Sequence, residues 1–215
     1  MRPSRVPLVL REAASILLVL VAATALLLLV FPWLAPLPAI LLLFTLWFFR
    51  DPERKVSAAA GEVLSPADGT VLSVGEVDEP RYLRGRAVCV RLYLSLFDVH
   101  VNRAPLAGAV EYQDAMRGSF APAFTDDASE RNERAFIGLS VGRHRVLVIQ
   151  IAGRIARRIV TWPRIGDRLE RGQRFGLIKF GSSTHLYLPA GSTVDVRPGD
   201  RVRAALTVIG RLPAD

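Results

Sequence analysis

The dipeptide Gly181-Ser182, which is followed by Ser183, has residue types that could support covalent chemistry. A serine hydroxyl directly after a glycine can attack the preceding carbonyl carbon if the turn is strained and a base removes the proton. Glycine favours this attack because it leaves the carbonyl unshielded and permits unusual backbone angles. The resulting ester can break by β-elimination to dehydroalanine, which hydrolyses to a pyruvoyl ketone and ammonia. Taken alone, a Gly-Ser pair between two strands is more often an ordinary hairpin turn.

Histidine and cysteine are scarce in the chain. The histidines are His100, His144 and His185, and their wide spacing argues against a zinc site. The single cysteine, Cys89, excludes a disulfide framework. Without further context, His100 is typical of a surface histidine that closes a strand, and Asp68 of an aspartate in a turn.

A long apolar run near the N-terminus indicates a membrane anchor. Residues 13–49 include no charged side chain. As one straight helix they would extend about 55 Å, whereas the hydrocarbon core of a bilayer is about 30 Å thick. Three prolines cluster in the middle of the run, where they must break the helix. The sequence therefore predicts a helical hairpin in residues 1–50, with segments at about Ala13–Val30 and Pro38–Phe49.

Basic residues flank this run on both sides and are absent from its middle: Arg2, Arg5 and Arg11 precede it, and Arg50, Arg54 and Lys55 follow it. The positive-inside tendency then predicts that both ends lie in the cytoplasm, with the following domain on the cytoplasmic face of the cell membrane. A cleaved signal peptide fits poorly, because its apolar region would be shorter and no second apolar segment would follow. A re-entrant hairpin that does not cross the bilayer is the remaining alternative.

Residues 51–215 have the length of one domain, and the chain is strongly basic, with a formal net charge of +8. Nearly all of the positive charge is arginine, since Lys55 and Lys179 are the only lysines. The planar guanidinium suits phosphate recognition, and a basic face near a membrane is attracted to anionic lipid head groups. Together with the anchor, this composition favours lipid as a partner and argues against nucleic acid.

The hydrophobic pattern after residue 55 has a period of two, which predicts a mainly β fold: a compact all-β domain, a flattened barrel or sandwich in the style of carrier-type barrels. In Ala87–Leu96, for example, apolar residues alternate with more polar ones along the run. The polar segment Arg117–Arg134 is predicted to be a long surface loop. The other predicted strands are Gly69–Val77, Ala109–Gln113, Ala135–Val141, Arg145–Ile151, Ile155–Trp162, Arg174–Phe180, Thr184–Leu188 and Arg201–Ile209.

Seven segments, in order, resemble those of the phosphatidylserine decarboxylases of the short, pyruvoyl-dependent type, and they cover most of residues 48–190. One matching segment would carry little weight, whereas seven in the same order are specific. They are FFRDPER (Phe48–Arg54), SPADGTV (Ser65–Val71), LSLFDVHVNRAP (Leu94–Pro105), NER (Asn132–Arg134), QIAGRIARRIV (Gln150–Val160), GDRLERGQRFGLIKFGSS (Gly166–Ser183) and YLP (Tyr187–Pro189).

The resemblance implies that the proenzyme cleaves itself between Gly181 and Ser182. Residues 1–181 would become the β chain and residues 182–215 the α chain. The two chains would remain together as a heterodimer, and this heterodimer could assemble into a higher oligomer. Ser182 would become a covalent pyruvoyl group, helped by His100 and Asp68 in the manner of a hydrolytic triad. The group would form a Schiff base with the amine of phosphatidylserine, release carbon dioxide and yield phosphatidylethanolamine, with no pyridoxal phosphate and no metal.

The resemblance also suggests substrate-binding residues that could grip a phosphate or carboxylate: Asn132, Glu133, Arg134, Arg157 and Arg158. Surface charge that keeps a basic domain soluble explains them equally well. One departure concerns the histidines, because longer relatives have two of them three residues apart, whereas here His100 is followed by Arg103. Either His100 does both jobs or another group helps, and His185 is available but has no assigned role.

A membrane-tethered, non-catalytic β module that binds lipid or resembles a carrier domain is the alternative function. A lipoyl or biotinyl carrier requires an exposed lysine at a hairpin tip. Lys179 instead falls within an apolar run that is predicted to be a strand. This difference favours the enzyme over the carrier.

Overall fold

A computed structural model of the chain describes residues 8–118, 132–153, 158–179 and 182–214. The chain forms two compact units, Met1–Pro52 and Glu53–Asp215. The boundary predicted from the sequence, after Arg50, lies next to this division. Each unit is described separately below.

The first unit is a pair of apolar helices, α1 (Leu8–Val30) and α2 (Pro36–Phe48), joined through a 3₁₀ turn at Pro32–Leu34. Both the turn and α2 begin at a proline, a position where the missing backbone N–H is not needed. The predicted break at the prolines is therefore confirmed. Helix α1 begins earlier than predicted, so that it includes the charged residues Arg11 and Glu12.

The two helices differ in length relative to a bilayer. Residues Val9–Val30 of α1 are long and apolar enough to cross a membrane. Helix α2 has 13 residues, and a helix of that size is about 20 Å long, which is shorter than the hydrocarbon core of about 30 Å. Within the described residues, α1 is the one helix whose length and composition suit a span.

The second unit is built from strands, and its described ranges include no α-helix. The mainly β class predicted from the period of two is therefore confirmed. The strands are β1 (Glu62–Leu64), β2 (Gly69–Glu79), β3 (Gly85–Leu94), β4 (Val101–Arg103), β5 (Gly108–Met116), β6 (Arg134–Val141), β7 (His144–Ala152), β8 (Ile159–Thr161), β9 (Arg168–Leu169), β10 (Arg174–Ile178), β11 (Ser182–Pro189), β12 (Thr193–Val194), β13 (Arg201–Val202) and β14 (Val208–Arg211).

Eight of these strands form one curled antiparallel sheet in the order β13-β2-β3-β11-β7-β6-β5-β9. Two three-stranded sheets, β4-β10-β8 and β1-β14-β12, complete the unit. Strand β11 lies in the middle of the large sheet and pairs with β3 on one side and β7 on the other. Both edges of β11 are therefore hydrogen-bonded.

The large sheet has two different faces. Its inner face carries the main hydrophobic core, which includes Leu92, Val148 and Leu186. Its outer face carries a smaller cluster that includes Phe136 and Ile149. Because side chains alternate along a strand, each residue of β7 or β11 is assigned to one face by its position.

Two predicted segments differ from the structure. The run Arg201–Ile209 is predicted as one strand, but β13 and β14 are separated by a turn in which Ala205 has a positive φ of 60°. This turn brings the backbone of Ala204 against Asp68, a contact that a continuous strand could not make. Strand β8 covers only part of Ile155–Trp162, and residues 154–157 lie outside the described ranges. Most of the predicted loop Arg117–Arg134 also lies outside them.

Candidate active site

Ser182 is the first residue of the central strand β11, and it is completely buried. It faces Leu94 of β3 and Ala152 of β7 across the two ladders. Within the described ranges its Oγ atom has no hydrogen-bond partner. A buried hydroxyl without a partner is costly and calls for an explanation, such as a catalytic role. The preceding Gly181 lies outside the described residues.

Ser182 belongs to the inner face of the sheet, and its neighbours along β11 alternate between the two faces. Thr184 and Leu186 share the inner face with Ser182, whereas Ser183 and His185 belong to the outer face. His185 therefore does not face the hydroxyl of Ser182. The two side chains lie on opposite faces of the sheet. This arrangement argues against His185 as the group that helps His100 at Ser182.

His185 is buried on the outer face beside arginines. Burial, together with the positive charges of Arg91 and Arg134, lowers the pKa of His185 to about 3. The imidazole is therefore neutral at physiological pH. It acts as a packed polar side chain rather than as a general acid.

A network of buried polar side chains covers the inner face next to Ser182. Gln150 of β7 lies directly opposite Thr184 of β11. The Nε2 of Gln150 donates to Oδ1 of Asn102 at 2.7 Å, and Nδ2 of Asn102 donates to Oγ1 of Thr184 at 3.1 Å. All three residues are fully buried. Strand β4, which carries Asn102, is thus held against the middle of the large sheet.

The register of β4 and β10 brings His100 towards Ser182. Asn102 of β4 pairs with Gly176 of β10, and the carbonyl oxygen of His100 accepts a bond from the N–H of Ile178 at 3.2 Å. Ile178 in turn packs against Ala152, the residue opposite Ser182. Asn102 and Thr184 are hydrogen-bonded, and His100 and Ser182 each precede one of them by two residues. His100 and Ser182 are therefore placed in the same corner of the domain, beside Ile178 and Ala152.

His100 is completely buried, so the expectation of a surface histidine, drawn without its motif, is wrong. Its Nδ1 lies 2.9 Å from the carbonyl oxygen of Asp98. Because a carbonyl only accepts, Nδ1 must carry the proton. In the neutral imidazole the lone pair then belongs to Nε2, the nitrogen that a general base requires.

The loop that carries His100 is itself held in place by Asp98. The carboxylate of Asp98 accepts bonds from the backbone N–H and the hydroxyl of Ser95, both at 2.8 Å. It also forms an ion pair with Arg201 at 2.6 Å. Asp98 therefore acts on His100 through its backbone, while its side chain is used to fix the loop.

Asp68 is nearly buried and forms a two-pronged ion pair with Arg54. The guanidinium of Arg54 donates to the two carboxylate oxygens at 2.5 and 2.8 Å and to the carbonyl oxygen of Ala204 at 2.6 Å. The N–H of Ala204 donates to Asp68 at 2.8 Å. The following residue, Gly69, is required because a Cβ atom there would lie 2.2 Å from the carbonyl oxygen of Tyr93. The loop of Asp68 is thus fixed on both sides.

The predicted substrate-binding residues have different positions. Asn132 is buried and its Nδ2 donates to the carbonyl oxygen of Ala152 at 2.7 Å, while the carbonyl of Glu133 accepts from the N–H of Ala152 at 2.9 Å. These two residues therefore support the strand residue opposite Ser182. The guanidinium of Arg134 lies on the outer face, 5.8 Å from the ring centre of Phe136.

The last two candidates are Arg157 and Arg158. Arg157 lies outside the described residues. Arg158 is exposed, and its carbonyl oxygen accepts from the N–H of Lys179. Arg103, which stands where longer relatives have a second histidine, is the next residue after Asn102 and so points to the other side of β4. Its guanidinium donates to the carbonyl oxygen of Gly172 at 3.3 Å.

Two contributors to the site are not evident from the sequence. Gln150 is marked only by its polar character within the apolar strand β7, and a glutamine there has no particular chemical meaning until its partners are known. Arg54 belongs to the segment FFRDPER, but its pairing with Asp68 joins residues 14 positions apart. Such pairings depend on how strands meet in three dimensions.

Other reactive groups in the described ranges do not offer competing chemistry. No group of three or more potential metal ligands occurs among them. Burial raises the pKa of Cys89 to about 11, so its thiol stays protonated. The corner that contains Ser182 and His100 is therefore the candidate active site.

Comparisons with known proteins identify the family of the chain. Residues 41–210 match the family described as Phosphatidylserine decarboxylase. Among curated proteins, the phosphatidylserine decarboxylase proenzyme of Symbiobacterium thermophilum is 56% identical over 99% of this chain and 100% of its own. The proenzymes of Carboxydothermus hydrogenoformans and Salinibacter ruber are 51% and 45% identical, over 84% and 80% of this chain and 85% and 77% of theirs. The chain belongs to the phosphatidylserine decarboxylase family.

Proposed function

We propose that this protein is a phosphatidylserine decarboxylase that makes its own prosthetic group by cleaving itself between Gly181 and Ser182. The observation that carries the proposal is the buried hydroxyl of Ser182 at the start of the central strand, which has no hydrogen-bond partner among the described residues. The neighbouring His100, with its lone pair on Nε2, supplies a base for that hydroxyl. Asp68 completes the set by fixing the loop on which β2 begins.

In the cleavage, Oγ of Ser182 bonds to the carbonyl carbon of Gly181 while Nε2 of His100 takes the hydroxyl proton. The bond between that carbon and the nitrogen of Ser182 then breaks, and the nitrogen recovers a proton. The product is an ester, and no oxidant or metal is consumed. Loss of the Cα proton of Ser182 expels the ester as a carboxylate, and water replaces the nitrogen, which leaves as ammonia.

The residues around position 182 fit a pyruvoyl group, because the hydroxyl that must be converted is buried away from solvent and held in a central strand. The ketone of that group would condense with the amine of phosphatidylserine and withdraw electrons as the carboxylate leaves. His100 then has a second task, which is to hold a proton at Nε2 for the α-carbon of the product. Asn132 and Glu133 position Ala152 beside the reacting residue.

The substrate is a lipid, so the protein must act at a bilayer. Helix α1 is long and apolar enough to anchor the chain there, and the flanking basic residues favour the cytoplasmic face of the cell membrane. The arginine-rich domain would be attracted to the anionic head groups. We include Arg134, Arg157 and Arg158 as proposed contacts for the phosphate or carboxylate.

Denaturing electrophoresis and intact mass measurement test the proposal with a matched pair of variants. We expect wild type to give two chains, and the small one to have the mass of residues 182–215 with a pyruvoyl group in place of Ser182. Ser182→Ala should remain a single chain and lose all decarboxylation of phosphatidylserine. Ser183→Ala, which changes the adjacent serine on the outer face, should still be cleaved and active.

Several outcomes would contradict the proposal. A single full-length chain in an active wild-type preparation would exclude the pyruvoyl mechanism. A single chain that binds phosphatidylserine vesicles without releasing carbon dioxide would favour the non-catalytic lipid-binding module. Cleavage that persists in Ser182→Ala would place the reacting serine elsewhere.

A further inference from the structure

A second buried atom without a described partner belongs to β7, the strand that pairs with β11. It is Oε1 of Gln150, which has no hydrogen-bond partner in the part of the chain that the structure describes. Gln150 is fully buried, so this oxygen also receives no bond from bulk solvent. A buried acceptor without a donor costs as much as a broken hydrogen bond. The function of the polar network must therefore explain why the oxygen is left unpaired.

The orientation of the Gln150 amide follows from its partners. The carbonyl oxygen of Pro66 can only accept, and it lies 3.3 Å from Nδ2 of Asn102. Oδ1 of Asn102 must then face Gln150, which requires the Nε2 of Gln150 to point towards Asn102. Oε1 is consequently the free end of the amide. The network therefore leaves an acceptor, and not a donor, unsatisfied at the Gln150 end.

The register places this acceptor within reach of Ser182. Gln150 is opposite Thr184, and Ser182 is two residues from Thr184 on the same face. Ser182 and Gln150 are thus diagonal neighbours on an antiparallel pair, where the separation is about 7–8 Å and long side chains can meet. Strand β10 makes room for the amide at Gly176, because a Cβ atom there would lie 2.8 Å from Nε2 and 3.0 Å from Oε1 of Gln150.

We infer that Gln150 is a positioning residue for self-cleavage. Neither Oε1 of Gln150 nor Oγ of Ser182 has a partner within the described ranges, and a turn of the Ser182 side chain about its Cα–Cβ bond would let Oε1 accept the hydroxyl proton in the uncut proenzyme. This bond then holds Oγ in one rotamer on the inner face for its attack on the preceding carbonyl carbon. Rotation of the O–H bond about the Cβ–Oγ axis then passes the proton to His100 without moving the oxygen. The inference rests on the proposed function and concerns only the first covalent step.

The rate of cleavage in a pulse-chase experiment tests this role. Gln150→Met keeps the volume of the side chain but removes the acceptor. We expect the uncut chain to persist at least about threefold longer than wild type, because a serine side chain otherwise divides among three staggered rotamers. Asn102→Ala removes the partner of the Gln150 amide but keeps the amide itself, so it should slow cleavage less than Gln150→Met. Gln113→Met is the matched control, because Gln113 lies on β5, away from β11, and its side chain donates to the carbonyl oxygen of Pro163. This variant should cleave like wild type.

Hydroxylamine distinguishes positioning of the hydroxyl from a structural effect on later steps. Hydroxylamine splits esters, so it releases the small chain from any proenzyme that has passed the first step. If Gln150 acts before the ester forms, hydroxylamine should not accelerate the splitting of Gln150→Met. The thermal unfolding transition of each uncut variant is compared with that of uncut Ser182→Ala, which shows whether the variant is folded.

The outcomes separate this inference from the proposed function. Three results would each overturn the positioning role. Gln150→Met could be cleaved at the wild-type rate or faster, or Gln113→Met could be slowed equally. Hydroxylamine could also release the small chain rapidly from Gln150→Met. None of these results affects the decarboxylase proposal, which is tested separately by the cleavage and activity of wild type and Ser182→Ala. If Gln150→Met does not fold, Asn102→Ala must still slow cleavage, and wild-type speed in that variant overturns the inference.

Discussion

At the scale of single residues, the two faces of β11 give neighbouring side chains opposite roles. Ser182 and Thr184 face the inner polar network, whereas His185 is packed on the outer face between strands that carry arginines. A histidine three residues from the proposed cut is therefore structural. His185 mainly affects the stability of the fold, because protonating the buried imidazole is unfavourable.

We expect the protein to become less stable as the pH falls below about 6.5, and His185 to cause part of this loss. Its pKa is about 3 in the folded protein and about 6.5 when exposed. Between these values the unfolded chain binds the extra proton, so stability falls as the pH falls, by up to about 1.4 kcal/mol for each pH unit. Thermal unfolding of wild type and His185→Gln in detergent between pH 7.5 and 5.5 measures this dependence. Equal slopes for the two proteins would contradict it.

The residues that could be found from the sequence are those with recognisable chemistry. Ser182, His100 and Asp68 lie in segments whose order resembles a known family. The burial of His100 and the bonds of Gln150 could not be found in this way, because both depend on strand β4 lying across the large sheet. A polar residue in an apolar run has no role until its neighbours are known.

At the scale of elements, the alternating pattern predicts most strands of the large sheet to within a few residues. One exception is β9, which no predicted strand covers. Another is Arg201–Ile209, where the pattern of a strand continues through a turn. The turn exists because Ala204 bonds to Arg54 and Asp68, which are distant in sequence. Local patterns carry strand propensity, whereas long-range bonds decide where a strand stops.

At the start of β2, Gly69 packs so closely against β3 that there is no room for a side chain. In Gly69→Ala, the new Cβ would lie 2.2 Å from a backbone oxygen of β3, which cannot move without disturbing the ladder. We expect a loss of about 1–3 kcal/mol or more in the free energy of unfolding. Gly75→Ala is the matched control in the same strand, because no atom lies within 4 Å of its Cβ position. Equal unfolding midpoints for the two variants in denaturant would show that β3 yields to the methyl group.

At the scale of the whole molecule, the proposed cut falls at the start of the central strand rather than at the edge of the sheet. The α chain would contribute β11, which pairs with β3 and β7, together with β13 and β14, which pair with β2 and β1. The ion pair of Arg201 with Asp98 also joins the two chains. Cleavage thus breaks one peptide bond while leaving the ladders between the chains in place.

We therefore expect the α and β chains to remain together until the domain unfolds. Native mass spectrometry in mild detergent should find both chains in one particle, and guanidinium should separate them. Because unfolding of the cut protein also releases a chain, its midpoint should rise with protein concentration. Uncut Ser182→Ala is the control, since it unfolds as one chain and its midpoint should not depend on concentration through this process. Release of the α chain under native conditions would show that the ladders of β11 do not hold the two chains together.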